Sequence, residues 1–409
     1  MRADTRAVAV TGLGLITPAG VGREATWAGV LRGESTAAQD HQLKELPVDF
    51  SCRVPPMTPE QGRIGGGKAW RMGRFTQLAV LAAREAVADA GLDPTSWDGA
   101  RVAVVIGSGL AGAAHLEEQT LRLQAGPDLV SPVLIPMLIS NMAAGEVLLD
   151  LGARGPSLAT ETACASGASA LAVARDLLLS GACDIAVAGG TEAAISPVVT
   201  AGFQRMGALS TLTDAPAQAS RPFAADRDGF VIAEGAAILV LERTQDARAR
   251  GKRHYAQLAG VGLSSDAHHP TAPAPGGTVA EVALRDAIGQ AGLVPTDIDH
   301  VNAHGTSTPL NDRTEAELIA RVLPHGPTVT SAKGVLGHSL GAAGAIEAAL
   351  TALTIHHSTV PPVANLTTDN LGFPLDCVVD RPRPQTVRAA ASHSFGFGGH
   401  NVVLVLRAP

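Results

Sequence analysis

The sequence has few cysteines and no excess of positive charge. Its four cysteines, among 409 residues, form no CxxC pair and show no metal-ligand spacing. This argues against a disulfide framework or a structural metal site, and it fits a reducing compartment. Acidic residues outnumber basic ones, 38 to 31, for a formal net charge of -7. The basic face that nucleic-acid binding requires is therefore not expected.

Long apolar runs, signal-like segments and linkers are missing as well. No stretch is long and apolar enough to span a bilayer without a charge or a glycine cluster. The N-terminal residues turn after a short apolar run, unlike a signal peptide. No Ser/Pro-rich or low-complexity tract divides the chain. We expect one compact cytoplasmic unit without a membrane partner.

The chain does contain alternating strand and helix patterns. Two helical patterns, GRFTQLAVLAAREAVADAG and TVAEVALRDAIGQAG, end in glycines of the C-cap type. Runs rich in Val, Ile and Ala and bounded by glycine predict buried strands. The alternation predicts an α/β fold with largely parallel sheets. The predicted strands are RAVAVTGLG, RVAVVIGSG, DIAVAGGTE, AAILVLER, HVNAHGTS, TVTSAK and NVVLVLR.

Two segments of the chain resemble each other. Residues 82–98 and 283–299 align without gaps, and each is followed by a strand and a glycine-rich turn. Two unrelated helices with similar exits are the alternative, because AGL-P is a common way for a helix to end. The length of the match favours an internal duplication, with halves at residues 1–254 and 255–409.

Cys164 stands at the start of a helix rich in small residues. The positive end of a helix dipole stabilises a thiolate, so we expect the pKa of Cys164 to be lowered and its sulfur to be nucleophilic. The surrounding residues, ACASGASA, leave room for a substrate. The alternative is a buried structural cysteine.

Two histidines occupy comparable positions in the second half. His304 directly follows an apolar strand, where side chains project into the clefts of α/β sheets. His338 precedes another helix of small residues, in which Gly341-Ala342 matches Gly167-Ala168 of the Cys164 helix. If the halves are duplicated, the two helices face each other and bring Cys164 to His338.

Two short motifs allow other interpretations. GSGLAG, at 107–112, matches a dinucleotide-binding fingerprint, but it lacks a suitably placed acidic residue and a second βαβ unit. GHSLG, at 337–341, matches the nucleophile elbow of hydrolases, with Asp380 and His393 following in triad order. No strand runs directly into that serine, and a hydrolase would leave Cys164 and His304 without a role.

Taken together, the motifs TACASG, VNAHGTSTPLND, SAKGVLGHSLGAAGAIE and SFGFGGHN resemble those of the β-ketoacyl-[acyl-carrier-protein] synthases. The similarity covers nearly the whole chain. It implies a thiolase-like fold with five layers, α-β-α-β-α, built from two duplicated halves and normally dimeric. It also implies decarboxylative Claisen condensation in type II fatty acid or polyketide synthesis.

The resemblance assigns roles to residues that match the family's motifs. Cys164 matches the nucleophile, which takes an acyl chain from the phosphopantetheine of the carrier protein. His304 and His338 match the pair that assists malonyl decarboxylation and stabilises the enolate. Lys333 and Glu347 match a supporting charged pair. No metal and no cofactor held by the chain itself is expected.

Further positions match the pocket of the family. The backbone N–H groups of Cys164 and Phe397 would form the oxyanion hole. Phe397 matches a gate in the glycine-rich loop that also contains Phe395, although both could be core aromatics. Leu110 and Phe203 are candidate walls of the acyl pocket. A candidate patch for docking the acyl carrier protein consists of Lys68, Arg71, Arg74 and Arg205.

The chain also departs from the family at three positions. His393 stands where the family usually has asparagine, Ser339 where a bulky apolar residue often follows the histidine, and Asp128 where fatty-acid enzymes tend to have a basic residue. These departures favour a specialised polyketide or secondary pathway.

Two other functions remain open at this point. A thiolase acting on coenzyme A thioesters would need a second cysteine near the C-terminal loop, and SFGFGGHN contains none. A non-elongating partner subunit of a ketosynthase heterodimer would typically lack the nucleophile, which is present here as Cys164. The partner in the expected dimer is either a second copy or a ketosynthase-like paralogue.

Overall fold

The computed structural model describes residues 8–252 and 254–409. In this part of the chain, one mixed sheet of twelve strands is accompanied by two small two-stranded sheets. No helix in it is long and apolar enough to cross a membrane. The strands are β1 (Val8–Thr17), β2 (Gly20–Val21), β3 (Ala38–Gln39), β4 (Phe50–Ser51), β5 (Val102–Gly107), β6 (Ser157–Thr160), β7 (Ile185–Glu192), β8 (Gly235–Arg243), β9 (Ala256–Ser265), β10 (His300–Asn302), β11 (Thr328–Thr330), β12 (Thr359–Val360), β13 (Asp376–Cys377), β14 (Arg383–Pro384), β15 (Ala389–Gly396) and β16 (His400–Arg407). The helices are α1 (Arg23–Arg32), α2 (Arg74–Asp89), α3 (Ala113–Ala125), α4 (Leu134–Leu138), α5 (Met142–Leu151), α6 (Ser166–Leu179), α7 (Pro197–Arg205), α8 (Thr244–Ala249), α9 (Thr278–Gln290), α10 (Pro309–Val322), α11 (Lys333–Leu336) and α12 (Ala343–His357).

The order of the strands repeats within the large sheet. The first half runs β6-β5-β7-β8-β1 and the second runs β11-β10-β15-β16-β9, with β13 added at the far edge. In each half the first three strands pair in parallel, and the remaining two are added in antiparallel pairing, so the sheet is mixed and not largely parallel as predicted. The halves join where β1 pairs with β9. The chain is therefore duplicated, as the two similar segments predict.

The similar segments make the same contact in both halves. α2 packs on β1 and α9 packs on β9 so closely that a Cβ on the strand would overlap a helix carbonyl oxygen. Glycine on the strand and alanine on the helix permit this approach. The matching contacts are Gly12 with Ala86, Gly14 with Ala82, Gly260 with Ala287, and Gly262 with Ala283.

The helices form three layers around the two halves of the sheet. α2 and α5 cover the outer face of the first half, and α9 and α10 cover the outer face of the second. The helices α6 and α12 pack against each other between them. This is the predicted five-layered α-β-α-β-α architecture, with the heads of the two central helices meeting in the middle of the molecule.

The alignment of the central helices differs from the sequence prediction by one turn. A Cβ on Gly167 would lie 2.9 Å from the Cβ of Ala345, and a Cβ on Gly344 would lie 2.9 Å from that of Ala168. Gly167-Ala168 is thus equivalent to Gly344-Ala345, and the match to Gly341-Ala342 is wrong. Both helices follow a short 3-10 turn, Ala163–Ala165 and Leu340–Ala342. Each turn begins at a residue with positive φ.

Candidate active site

One cavity of about 400 Å³ brings together the predicted nucleophile and both predicted histidines. Cys164 and Phe203 line it from the first half of the chain, and His304, His338 and Phe397 line it from the second. The cavity therefore lies between the two halves, and neither half forms it alone.

Cys164 lies on the 3-10 turn that leads into α6 and is 8% exposed. Ala163, before it, has a φ of 50°, an uncommon conformation for a residue with a side chain. Gly396 passes so close that a Cβ there would lie 3.3 Å from the backbone nitrogen of Cys164. The next backbone N–H, that of Phe397, lies close enough to the Cys164 thiol to act against the rise of its pKa. Phe397 also lines the cavity with Cys164, as the predicted oxyanion hole requires.

The electrostatic expectation for Cys164 is wrong in the resting site. Burial raises the pKa of the thiol to about 11, although Lys333 and the N–H of Phe397 act in the opposite direction. Loss of hydration destabilises the thiolate by more than Lys333 and the Phe397 N–H stabilise it. The sulfur is therefore protonated at neutral pH, and a proton acceptor must take part in its acylation.

His304 is held at both its backbone and its ring. Its backbone N–H and that of Gly305 donate to the two carboxylate oxygens of buried Glu315, at 2.8 and 2.7 Å. Lys333 Nζ lies 3.3 Å from Nδ1 of His304 and 2.6 Å from its carbonyl oxygen. An ammonium only donates, so Nδ1 accepts and the ring proton lies on Nε2. Burial, assisted by the charge of Lys333, lowers the pKa of His304 well below its usual value and keeps the ring neutral.

Lys333 and Glu347 form a buried ion pair behind His304. Each side chain is only 2% exposed, and Nζ bonds directly to the Glu347 carboxylate. Burial raises the pKa of Glu347 to about 7 while Lys333 opposes that rise. The predicted supporting pair is thus assembled, with Lys333 as the link between Glu347 and the ring of His304.

His338 is fixed by the backbone around it. Its N–H donates to the Val231 carbonyl at 2.7 Å, and its own carbonyl accepts from the N–H of Ala233 at 3.0 Å. The rings of His338 and His304 lie edge to face, with centroids 5.5 Å apart. Burial, and secondarily Lys333, lowers the pKa of His338 well below its usual value. The site therefore presents two neutral imidazoles beside one thiol.

The aromatic residues of the C-terminal loop lie where the sequence places the gate. Phe395 lies 5.8 Å from the His304 ring between centroids, and Phe397 lies 6.5 Å from Phe203. Leu110 and Phe203, the predicted pocket walls, both line the cavity. These four residues thus surround the same space as the thiol.

Glu192 is a buried residue of this site that the sequence prediction missed. It ends β7, and its carboxylate accepts the N–H groups of Gly109 at 2.7 Å, Leu110 at 3.2 Å and Gly341 at 3.1 Å. Burial raises the pKa of Glu192 to about 7, against the effect of these hydrogen bonds. The glycine-rich segment at 107–112 therefore holds a carboxylate of its own chain, which explains the motif without a dinucleotide.

The hydrolase triad is not assembled. Ser339 is buried, whereas Asp380 is exposed and lines a different cavity. His393 is bonded to Glu315.

Two of the predicted docking residues are engaged in ion pairs. Arg71 pairs with Glu146 at 3.0 Å, and Arg74 forms two bonds of 2.7 Å with nearly inaccessible Glu234. Intramolecular carboxylates therefore already neutralise part of the charge of both arginines. The other two predicted docking residues are exposed: Lys68 and Arg205.

Comparison with known families decides between the remaining possibilities. The family models described as beta-ketoacyl synthase, N-terminal domain, and beta-ketoacyl synthase, C-terminal domain, match residues 5–247 and 255–367. The chain belongs to the beta-ketoacyl synthase family. Among curated relatives of this family, 3-oxoacyl-[acyl-carrier-protein] synthase 2 of Synechocystis sp. is 41% identical over 99% of this chain and 98% of its own. The enzyme of the same name from Staphylococcus aureus is also 41% identical, over 99% of both chains.

Solved beta-ketoacyl synthase structures share the fold over the whole chain. The ishigamide ketosynthase/chain length factor is 35% identical, with a TM-score of 0.91 over 99% of this chain and 100% of the other. A type II PKS acyl-carrier protein in complex with its ketosynthase bound to the hexaketide gives 33% identity and the same TM-score and coverage.

Membership of the beta-ketoacyl synthase family also bears on the two alternatives. Cys164 is the only cysteine among the described residues that line the cavity, so the second cysteine of a thiolase has no counterpart there. A non-elongating partner subunit would be expected to lack the nucleophile, whereas this chain has Cys164 at that position. Neither alternative is favoured.

Proposed function

We propose that this chain catalyses decarboxylative Claisen condensation between an acyl group on Cys164 and malonyl-[acyl-carrier-protein]. The observation that carries the proposal is the cavity that brings together the Cys164 thiol, the rings of His304 and His338, and Phe397. The activity is that of an acyltransferase. The phosphopantetheine arm comes with the carrier protein, and no cofactor of the chain itself takes part.

The first step transfers the acyl group to Cys164. The thiol loses its proton to a neutral histidine of the cavity, the sulfur attacks the thioester carbonyl, and the pantetheine thiol leaves with a proton. The N–H groups of Phe397 and Cys164 stabilise the tetrahedral oxyanion, an effect of about 3–4 kcal/mol per donor in other enzymes. Because burial raises the pKa of the thiol, the sulfur attacks as its proton passes to the histidine.

The second step forms the carbon nucleophile. The bond between the malonyl methylene and its carboxylate breaks, carbon dioxide leaves, and the electron pair forms an enolate. Nε2–H of His304, the proton position set by Lys333, donates to the thioester oxygen as charge develops there. His338 lies beside His304, with the two ring centroids 5.5 Å apart. The enolate carbon then attacks the acyl-Cys164 carbonyl, and the Cys164 thiolate leaves.

We further propose that the chain works as a dimer. Large apolar side chains are exposed along the segment from α3 to β6. β6 is an edge strand of the large sheet, so one of its sides is unpaired next to this apolar surface. A homodimer or a heterodimer with a ketosynthase-like paralogue would cover it, and light scattering with and without such a paralogue distinguishes the two. The exposed apolar residues of this segment are Leu116, Leu121, Leu123, Leu129, Ile135, Ile139, Leu149 and Leu158.

The pathway stays a prediction. Departures from the family at His393, Ser339 and Asp128 favour a specialised polyketide or secondary pathway over fatty acid synthesis. Condensation rates over a panel of acyl-carrier-protein primers test this preference. A cytoplasmic location is also proposed.

The reaction is tested with Cys164→Ala. Condensation and acylation should fall to background in this variant, whereas carbon dioxide release from malonyl-carrier protein should persist, because the histidines remain. Cys183→Ala, at a buried cysteine outside the cavity, serves as the control and should keep condensation. Condensation that survives the loss of Cys164 contradicts the proposed function.

A further inference from the structure

His393 is a buried histidine that the proposed reaction does not use. It lies in the middle of β15, opposite Val403 of β16, and is 0% exposed. Its Nδ1 lies 3.0 Å from Oε1 of Glu315, a side chain that is itself 0% exposed. Among the described residues, His393 is the only basic side chain within ion-pair distance of Glu315.

The carboxylate of Glu315 connects His393 to the active site. Its Oε1 accepts both the His393 ring and the backbone N–H of His304, and its Oε2 accepts the N–H of Gly305. Oε2 also accepts from the side chain of Asn311 at 3.5 Å. A carboxylate only accepts, so Nδ1 of His393 carries the proton. Moving the carboxylate would move the end of β10, from which the His304 ring enters the cavity.

A second route passes through an aromatic ring. His393 and Phe395 lie on the same face of β15, since they are two residues apart, with ring centroids 5.6 Å apart. Phe395 lies 5.8 Å from the His304 ring and lines the cavity. The ring of His304 is thus supported by Phe395 on one side and bonded to Lys333 on another.

The arrangement carries a cost that simple core packing would avoid. With Nδ1 bonded to Glu315, Nε2 of His393 is buried without a hydrogen-bond partner. Buried His300 has an unpaired Nε2 as well, so what distinguishes His393 is its bond to the buried carboxylate of Glu315. An asparagine could supply a donor to Glu315 without a second ring nitrogen.

We infer that His393 is a positioning residue for His304, acting through Glu315 on its backbone and through Phe395 on its ring. The inference rests on the proposed function, because the step affected is malonyl decarboxylation. Acylation of Cys164 should be spared, since the sulfur lies on the turn before α6. His338, the other histidine able to accept its proton, is held by the backbone of Val231 and Ala233 and not by Glu315.

Two substitutions separate the two routes. His393→Phe keeps a ring beside Phe395 but removes the donor to Glu315, whereas His393→Asn keeps a donor and removes the ring. The matched control is His300→Asn, at another fully buried histidine of the same half, whose Nδ1 contacts Thr328 and not the active site. For each purified full chain, carbon dioxide release from malonyl-carrier protein and acyl transfer from acyl-carrier protein to Cys164 are measured separately, with an unfolding midpoint.

The expected result is a selective loss of one half-reaction. In His393→Phe the kcat of decarboxylation should fall about 100-fold, the scale for a misplaced catalytic group, while the acylation rate stays within about twofold of wild type. His393→Asn should recover most of the loss. His300→Asn should lower the unfolding midpoint without a selective loss.

Three outcomes would overturn the inference: equal loss of both half-reactions in His393→Phe, no loss of either, or the same selective loss in His300→Asn. If His393→Phe fails to fold, His393→Ala, which removes the donor to Glu315 without adding bulk, takes its place. A decarboxylation rate at least about tenfold below that of His393→Asn, with acylation retained, supports the inference, and equal rates overturn it. Absence of condensation by the wild-type chain would instead refute the proposed function.

Discussion

Replacing Lys333 with methionine tests how the buried ion pair supports the site. Methionine keeps much of the side-chain length but removes the ammonium that bonds Glu347 and both Nδ1 and the carbonyl oxygen of His304. Both members of the pair are 2% exposed, and Oε2 of Glu347 has no other partner. Removing one partner of a buried pair costs about 3–5 kcal/mol of stability, and this is the loss expected near pH 8.

The same variant should show a defined pH dependence. Burial raises the pKa of Glu347 from 4.5 to about 7 in the folded wild type. A carboxyl whose pKa is higher in the folded than in the unfolded state destabilises the fold as pH rises between the two values, because the folded state binds the proton more tightly. Without Lys333 that pKa rises further. The stability loss of Lys333→Met should therefore be small near pH 5 and grow towards pH 8.

Urea unfolding at both pH values measures these effects, with Lys333→Met/Glu347→Leu as the comparison. The double variant replaces the ion pair with apolar side chains, a change that is often neutral or stabilising. It should recover most of the lost stability but none of the decarboxylation activity, because His304 still lacks its donor at Nδ1. A loss below about 1 kcal/mol at pH 8, typical of an exposed pair, or a loss independent of pH, would refute the reasoning.

Two further predictions follow from burial and close packing. Because burial raises the pKa of Cys164 to about 11, its alkylation by iodoacetamide should still accelerate above about pH 9; a rate that levels off below about pH 8 would contradict this. Gly344→Val should abolish or strongly destabilise folding, because its Cβ meets Ala168 at 2.9 Å. The control is Gly202→Ala, at a position where a Cβ has open space. Its free energy of unfolding should equal that of wild type or exceed it by about 1 kcal/mol. Equal stability of the two variants would show that the close contact at Gly344 is unimportant.

The sequence predicted the catalytic side chains because each has a local signal. Cys164 precedes a helix of small residues, and His304 follows an apolar strand. Glu192 and Glu315 had no such signal, because most of their partners are backbone N–H groups of other segments, which any residue type supplies. Only the folded chain shows that these carboxylates hold the loops of the site.

The fold was predicted well where strands are continuously apolar and less well elsewhere. The seven predicted strands are all present, but β6, β9 and β15 of the large sheet were missed, as were the strands of two residues. β9 is interrupted by Gly260 and Gly262, which admit α9, and β15 is built mainly from small and polar residues. Their strand character depends on neighbours in the sheet and not on their own hydrophobicity. The one-turn error in aligning the central helices arose because both contain several Gly-Ala pairs.

The equivalence of the two 3-10 turns explains why the molecule has a single nucleophile. Cys164 is the middle residue of one turn, and Gly341 is the middle residue of the other. A side chain at Gly341 would collide with the backbone of Gly109 and with Glu192. The second turn therefore has no room for a thiol, and the two halves, although alike in fold, can supply only different groups to the one cavity.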